Sequence, residues 1–219
     1  KEYLSKQVSL VLQLLSNSTR PVILVGNGVR LAKAESTFHQ LVEKLEIPIL
    51  TTWKALDFFD DADPLFIGRP GAVGQRAANI AQQKSDWLLM LGARMDMGQT
   101  AYMHKYLARG AKKIMVDIEE SEINKMRKVI DVPIPVDAGD FIDEMLRQAE
   151  NVQEQHEKWI EWRRQCRTWK KKWPTVLQEY KEYKDGISIY ALIDAISDVT
   201  EAGDLVIPGS SGACSEVTM

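Results

Sequence analysis

Four apolar residues, Val22 to Val25, run into Gly26-Asn27-Gly28, and a helical pattern follows at once. A turn of that composition could cradle a phosphate. Glycines let the backbone approach a ligand closely, and a helix N-terminus directs its N–H groups at negative charge. Ala32 supplies a small residue for close helix packing. A lone Gly-x-Gly does not choose among ligands; the discriminating residue is an acid closing the second strand, which would hold an adenosine ribose. The second apolar run instead ends in Thr51-Thr52, with Trp53 and Lys54 next, which argues against a hydride-transferring nicotinamide enzyme. Acids come later: Arg94 and Asp96 follow WLLMLG, and Asp117 falls at the end of KIMVDIEE. On the carboxyl edge of a parallel sheet all three would face a ligand. Two plainer readings stay open: Arg94 and Asp96 pair with each other, or Asp117 caps the helix of EESEINKM.

Alternating apolar runs and helical stripes must position these groups. The pattern predicts strands over 22–26, 48–52, 87–92, 113–118 and, more weakly, 132–136. Between the first two, Leu31, Phe38, Leu41, Val42 and Leu45 recur at helical spacing. A last amphipathic helix over 138–150 turns Phe141, Met145 and Leu146 inward. Strands alternating with helices imply βαβ units and a Rossmann-like, doubly wound parallel sheet of the α/β class, occupying residues 1–150. Five or six strands are expected, with Gly26, Arg94 and Asp117 clustered at the carboxyl edge.

Residues 151–185 read as a helical linker. Trp159, Trp162, Trp169 and Trp173 share one face of a helix that breaks near Pro174. Tryptophans beside Lys170-Lys171-Lys172 could suggest a single-stranded nucleic acid; packing on a neighbour, with the charges in water, is the favoured reading. From Gly186 a new unit begins: a helix with Ile189, Leu192, Ile193 and Ile196 on one side, a strand LVI, and a Gly/Ser loop. Residues 186–219 are read as the start of a second α/β domain, so the chain is expected to be a piece of something longer.

A net charge of −3 over 219 residues gives no global field toward nucleic acid or anionic membrane. Cys166 and Cys214 lie far apart without C-x-x-C spacing, and the three histidines are not at ligand spacing, so no metal site is expected. No apolar run approaches the ~18 residues of a membrane span, and the N-terminus does not look like a signal peptide. A cytosolic (cytoplasmic) compartment is the expectation.

Taken in order, RPVILVGNGV, IPILTTWKALDFF, DPLFIGRPGAVGQRAANIAQQKSDWLLMLGARMD and AKKIMVDIEESEINK resemble the central domain of thiamine-diphosphate-dependent enzymes. In particular they look like the large subunit of acetolactate synthase. GISIYALIDAISDVTEAGDLVIPGSSG is similar to the start of that family's diphosphate-binding domain. The resemblance implies an α/β enzyme acting on 2-keto acids with thiamine diphosphate and Mg²⁺, assembled as a homodimer or homotetramer. Thiamine diphosphate supplies a carbanion sink. The family's pyrimidine-activating glutamate and its GDG…N segment do not occur in this sequence, so the chain alone is expected to be inactive, with no catalytic residue of its own.

In acetolactate synthases the central domain holds FAD, and in other members ADP or nothing. The resemblance places Gly26, Asn27 and Gly28 at the phosphates, Thr52 with the neighbouring Trp53 and Lys54 beside them, and Gly71 in a loop. Gly92, Ala93, Arg94 and Asp96 fall around the middle, Asp117, Ile118 and Glu122 near the ribose, and Asp137 beyond. Ser210, Ser211 and Gly212 fall where the family's loop reaches the thiamine diphosphate phosphates. The chain departs from the pattern at Ala72-Val73, where the family has Met-His, at Gly98, where it has a basic residue, and at Val136, where it has glycine. Those departures favour loss of FAD with retention of an adenine nucleotide. The competing readings are a stand-alone adenine-nucleotide module and an empty spacer domain.

Overall fold

Runs of Val, Ile, Leu and Met that are buried on both faces can only be interior strands of a covered sheet. The computed structural model describes residues 1–149, 156–209 and 217. It has β1 (Pro21–Val25), β2 (Ile49–Thr51), β3 (Phe66–Gly68), β4 (Trp87–Leu91), β5 (Lys112–Asp117) and β6 (Val132–Pro135). All pair in parallel, in the order β3-β2-β1-β4-β5-β6. The helices are α1 (Glu2–Ser16), α2 (Gly28–Leu31), α3 (Glu35–Leu45), α4 (Arg76–Lys84), α5 (Met97–Thr100), α6 (Glu120–Lys125), α7 (Ala138–Gln148), α8 (His156–Lys172), α9 (Gln178–Lys181) and α10 (Ile189–Val199). This is the Rossmann-like doubly wound fold that the alternating pattern predicts.

Alternate strand residues supply two separate cores, because successive side chains point to opposite faces. Ile23, Val25, Leu89, Leu91, Ile114 and Val116 pack with α1, α3 and α7. Val22, Leu24, Leu88, Met90 and Met115 pack with α4, α6 and α8. Phe141 and Met145 are buried as expected and Leu146 is partly so.

Several expectations need correction. The strand β3 has no counterpart among the predicted ones; it is three residues long at the sheet edge and is followed by Arg69-Pro70, so its apolar run is too short to announce itself. The helix expected between β1 and β2 is two helices: Lys33 adopts φ +55° after α2, which leaves Leu31 77% exposed rather than in the core. Residues 205–207 form no strand and are exposed, since no described strand lies beside them to accept their hydrogen bonds. Helix α10 does form, stacking Tyr190 on Tyr180 and pairing Asp194 with Lys181, yet none of its side chains is fully buried.

Helix α8 lies against the amino edge of β1 to β3. Trp159 is wholly buried with its indole N–H donating to Ser18 O at 3.1 Å, and Trp162 donates to Pro21 O at 3.0 Å. The tryptophans therefore pack on a neighbour, as favoured, and Trp169 meets Trp162 edge-on. Lys170 does not face water: its ammonium donates to Asp61 O and Phe66 O and lies over the Phe66 ring. The helix ends two residues before Pro174. Trp159→Ala should lose about 3–5 kcal/mol. Trp159→Phe should lose about 1–2, from a carbonyl left unpaired. Urea unfolding of both variants checks the order.

Candidate functional site

In the order β3-β2-β1-β4-β5-β6 the connections reverse direction between β1 and β4, and at such a switch point the loops leaving the strands diverge and open a crevice. Here the two backbones first come together. A Cβ on Gly26 would sit 2.3 Å from Gly92 O, one on Gly28 2.7 Å from Gly92 Cα, and one on Gly92 2.8 Å from Gly28 Cα. Gly92 also has φ +55°, a left-handed conformation that glycine adopts without penalty. Three glycines thus interlock the β1 and β4 exits. Their N–H groups are spent in doing so: Gly26 N donates to Leu91 O and Gly28 N to Gly92 O, each at 2.9 Å, and Gly92 N to Val116 O. At this turn the glycines provide close approach rather than two free donors.

Above the interlock lies a cleft of about 660 Å³, within the range of small-molecule sites. Asn27, Gly28, Thr52, Gly92, Arg94, Asp96, Asp117, Ile118, Glu122 and Asp137 all line it. Gly26 and Ala93 are buried beneath it, outside the lining. Gly71 is not part of it either: a Cβ there would meet Gly98 O at 2.5 Å, and its N–H and C=O pair with the Asn79 amide, both at 3.0 Å. Ser210, Ser211 and Gly212 lie outside the described residues.

Each aspartate of the cleft has a local backbone partner. Asp96 caps α5 by accepting from Gln99 N at 3.3 Å. Asp137 caps α7, accepting from Gly139 N at 2.8 Å and Asp140 N at 3.3 Å. Asp117 Oδ1 accepts from Glu119 N at 2.9 Å, and it is Glu119 that caps α6. Arg94 pairs with Glu122 at 3.5 Å rather than with Asp96, and Lys125 holds the other Glu122 oxygen. The Arg94 side chain remains 72% exposed. Of the two plainer readings, the Arg94–Asp96 pair is not formed. Nor does Asp117 cap the helix: Glu119 does, and Asp117 accepts the Glu119 N–H just ahead of it.

One residue, Gln99, escaped the sequence reading, while Trp53 and Lys54 line the cleft beside Thr52 as the resemblance implies. Gln99 is 92% buried, lines the cleft, and its side-chain oxygen has no hydrogen-bond partner. Its only sequence signal is the three-residue spacing from Asp96. Trp53, half exposed, forms one wall beside Lys54. Gly98 lies against it: a Cβ there would be 3.4 Å from the indole and 3.2 Å from Asp96 Oδ1. Arg30 braces that wall from α2: it pairs with Asp57 at 2.8 and 2.9 Å, donates to Lys54 O and covers the Phe58 ring. Of the departures noted above, Val136 packs into the core and Val73 is exposed on the Gly71 loop; neither lines the cleft.

Residues 8–145 match the family described as thiamine pyrophosphate enzyme, central domain. The chain belongs to that family. An acetolactate synthase of Arthrospira platensis is 33% identical over 147 residues, covering 66% of this chain and 25% of that protein. A probable acetolactate synthase large subunit of Methanococcus aeolicus is 35% identical over 147 residues, 67% of this chain and 24% of that protein. An acetolactate synthase of Mycobacterium bovis is 37% identical over 142 residues, 65% of this chain and 23% of that protein. The central domain described here therefore spans about a quarter of the length of the curated relatives it matches. Among the described residues, no helix is long and apolar enough to cross a membrane.

Burial raises the Asp117 carboxyl above its ordinary value, and Glu122 adds to the effect, against the opposing Glu119 N–H. Between the ordinary and the raised value, the folded chain holds a proton that the unfolded chain has released. Stability therefore falls as pH rises through that interval, and the penalty persists above it. Asp117→Asn keeps the acceptor for Glu119 and removes the charge. It should raise Tm at about pH 7 and leave it unchanged at about pH 3, where both carboxyls are protonated; thermal unfolding at the two pH values checks this.

Proposed function

We propose that this chain is the central domain of an acetolactate-synthase-like enzyme that acts on 2-keto acids with thiamine diphosphate and Mg²⁺. In this reading the switch-point cleft is a pocket for an adenine nucleotide: ADP, or the adenosine half of FAD. The domain's other role would be structural, holding neighbouring catalytic domains in place within a homodimer or homotetramer. The observation that carries the nucleotide reading is convergence. Groups from the ends of β1, β2, β4 and β5 share one cleft with a buried, unpartnered Gln99 oxygen. A buried amide oxygen left unpaired costs about 1–3 kcal/mol, which a donor such as an adenine amino group or a ribose hydroxyl would recover. Arg94 suits a phosphate, Asp117 a ribose hydroxyl and Trp53 the face of a planar ring.

Thiamine diphosphate, when bound to the parent, supplies the electron sink for decarboxylation. The residues of this chain would bind and orient a nucleotide and support the fold. They include neither a GDG…N segment nor a residue assigned to the pyrimidine ring. Incubated with thiamine diphosphate, Mg²⁺ and pyruvate, the 219-residue chain should release no CO₂. Thiamine-dependent release from it would overturn the division of labour.

A second reading has its own support. The Gly26 and Gly28 N–H groups are already bonded, and Asp96, Asp117 and Asp137 each accept a backbone N–H. A cleft so far satisfied from within suits a spacer that holds nothing. Calorimetric titration separates the two. The pocket reading expects ADP to bind more tightly than FAD, with Asp117→Asn and Gln99→Leu each weakening ADP by about tenfold. No heat with either nucleotide would favour the spacer, and tight FAD binding would refute the preference for ADP.

A further inference from the structure

A second concavity opens at the opposite edge of the sheet, where β5 and β6 begin. It encloses about 390 Å³ and is lined by Lys105, Arg109, Lys112, Lys113 and Lys128, with Asp131 as its one carboxylate. Five cations against one acid stand out in a protein of net charge −3. The six residues of β5 separate this pocket from the nucleotide cleft by about 20 Å.

Two of the cations are already engaged. Asp131 Oδ1 holds Lys112 at 3.2 Å, and its Oδ2 accepts the Lys113 N–H at 2.9 Å. Lys113 is buried, its ammonium donating to Ala108 O at 3.2 Å and Ala111 O at 2.9 Å. Its role is to hold the pocket wall. That wall is strained: Ala108 has φ +38°, which a residue with a Cβ rarely adopts. Three bonds keep it there, since the Gln83 side chain accepts its N–H at 3.1 Å and its carbonyl accepts from both Lys113 and Ala111 N. Strained backbone persists where the surroundings over-determine it.

The remaining three cations have no carboxylate partner among the described residues. Lys105 and Arg109 flank the Tyr106 ring, 4.9 and 5.9 Å from its centroid, and Lys128 comes from the loop that precedes β6. A solvated basic face would be convex and mobile. This one is concave, backed by a pinned loop, and gathers three cations that no described carboxylate pairs.

We propose that this pocket binds a small phosphate-dense anion, a diphosphate group above all. Arg109 presents a planar fork of donors suited to phosphate oxygens, and Lys105 and Lys128 add point charges on either side. Free pyrophosphate and the diphosphate of a nucleotide share this chemistry, so both are probed. Calorimetry on the full 219-residue chain should show saturable binding of inorganic pyrophosphate that weakens as salt is raised. The Arg109→Glu/Lys128→Glu double variant should weaken it by at least about tenfold, while Lys6→Ala, at an exposed lysine of α1 outside both pockets, leaves it unchanged. If the nucleotide also uses this pocket, ADP stoichiometry falls from two sites to one in the same double variant. Circular dichroism confirms the fold, and the milder Arg109→Gln/Lys128→Gln pair stands in if the charge reversal unfolds. No saturable heat with pyrophosphate in the unaltered chain would overturn the proposal. So would pyrophosphate binding that the double variant leaves unweakened.

Discussion

The contact on which this domain turns is backbone against backbone, where the exits of β1 and β4 touch through Gly26, Gly28 and Gly92. No side chain, not even a methyl group, fits between them. The closeness lets each exit satisfy its neighbour: Gly26 and Gly28 donate to the end of β4, and Gly92 donates to β5. Three adjacent strands are thereby tied together at their carboxyl ends, just past the last regular pairings of the sheet. The cleft above them inherits its floor from this arrangement. A glycine turn that resembles a phosphate cradle is here first a joint between strands, and any ligand must find its donors elsewhere.

Those other groups are arranged with a tension typical of binding sites. Asp96 and Asp137 cap helices and would be retained for that alone. Asp117 is different. Its bond to Glu119 N is worth little against the cost of half-burying a carboxylate beside Glu122. Gln99 likewise holds a buried oxygen with nothing bonded to it. Two polar groups that each diminish stability, facing one cleft, are easier to understand as groups kept for a ligand than as parts of a scaffold. The bracing of the Trp53 loop by Arg30 points the same way, since an exposed indole gains the protein nothing by itself.

At the other edge of the sheet the constraint is closure. Strand starts leave carbonyl groups that need partners. Helix α8 supplies them with indole N–H groups on Ser18 and Pro21 and with Lys170 on Asp61 and Phe66. This is why a segment rich in Lys and Arg still carries buried tryptophans: the rings fill the space and the polar tips finish the backbone's hydrogen bonds. Beyond α8, α9 and α10 pack on each other while α10 keeps Leu192 and Ile196 partly exposed.

Much of the architecture was legible in residue order. Apolar runs announce strands, and five of the six are read from them; β6, at the sheet edge, is buried on one face only. Strict spacing in 138–148 announces α7. The carboxyl-edge positions of Gly26, Arg94 and Asp117 follow from the parallel order alone, because each ends its strand or lies within three residues of its end. What local pattern could not supply is anything decided by a distant neighbour. Strand β3 exists only because β2 offers it an edge to pair with, and residues 205–207, with a stronger strand pattern, find no such edge. Leu31 lost its place in the core to a single left-handed residue, Lys33. That the glycine N–H groups are consumed by β4 and β5, that Arg94 chooses Glu122 over Asp96, and that Gln99 is buried beside the cleft with its side-chain oxygen unpartnered are matters of tertiary geometry. Sequence determined which groups stand at the strand ends; only packing across the sheet decided which of them were already satisfied and which were left facing the cleft, because a hydrogen-bond partner is chosen by proximity in space and not along the chain.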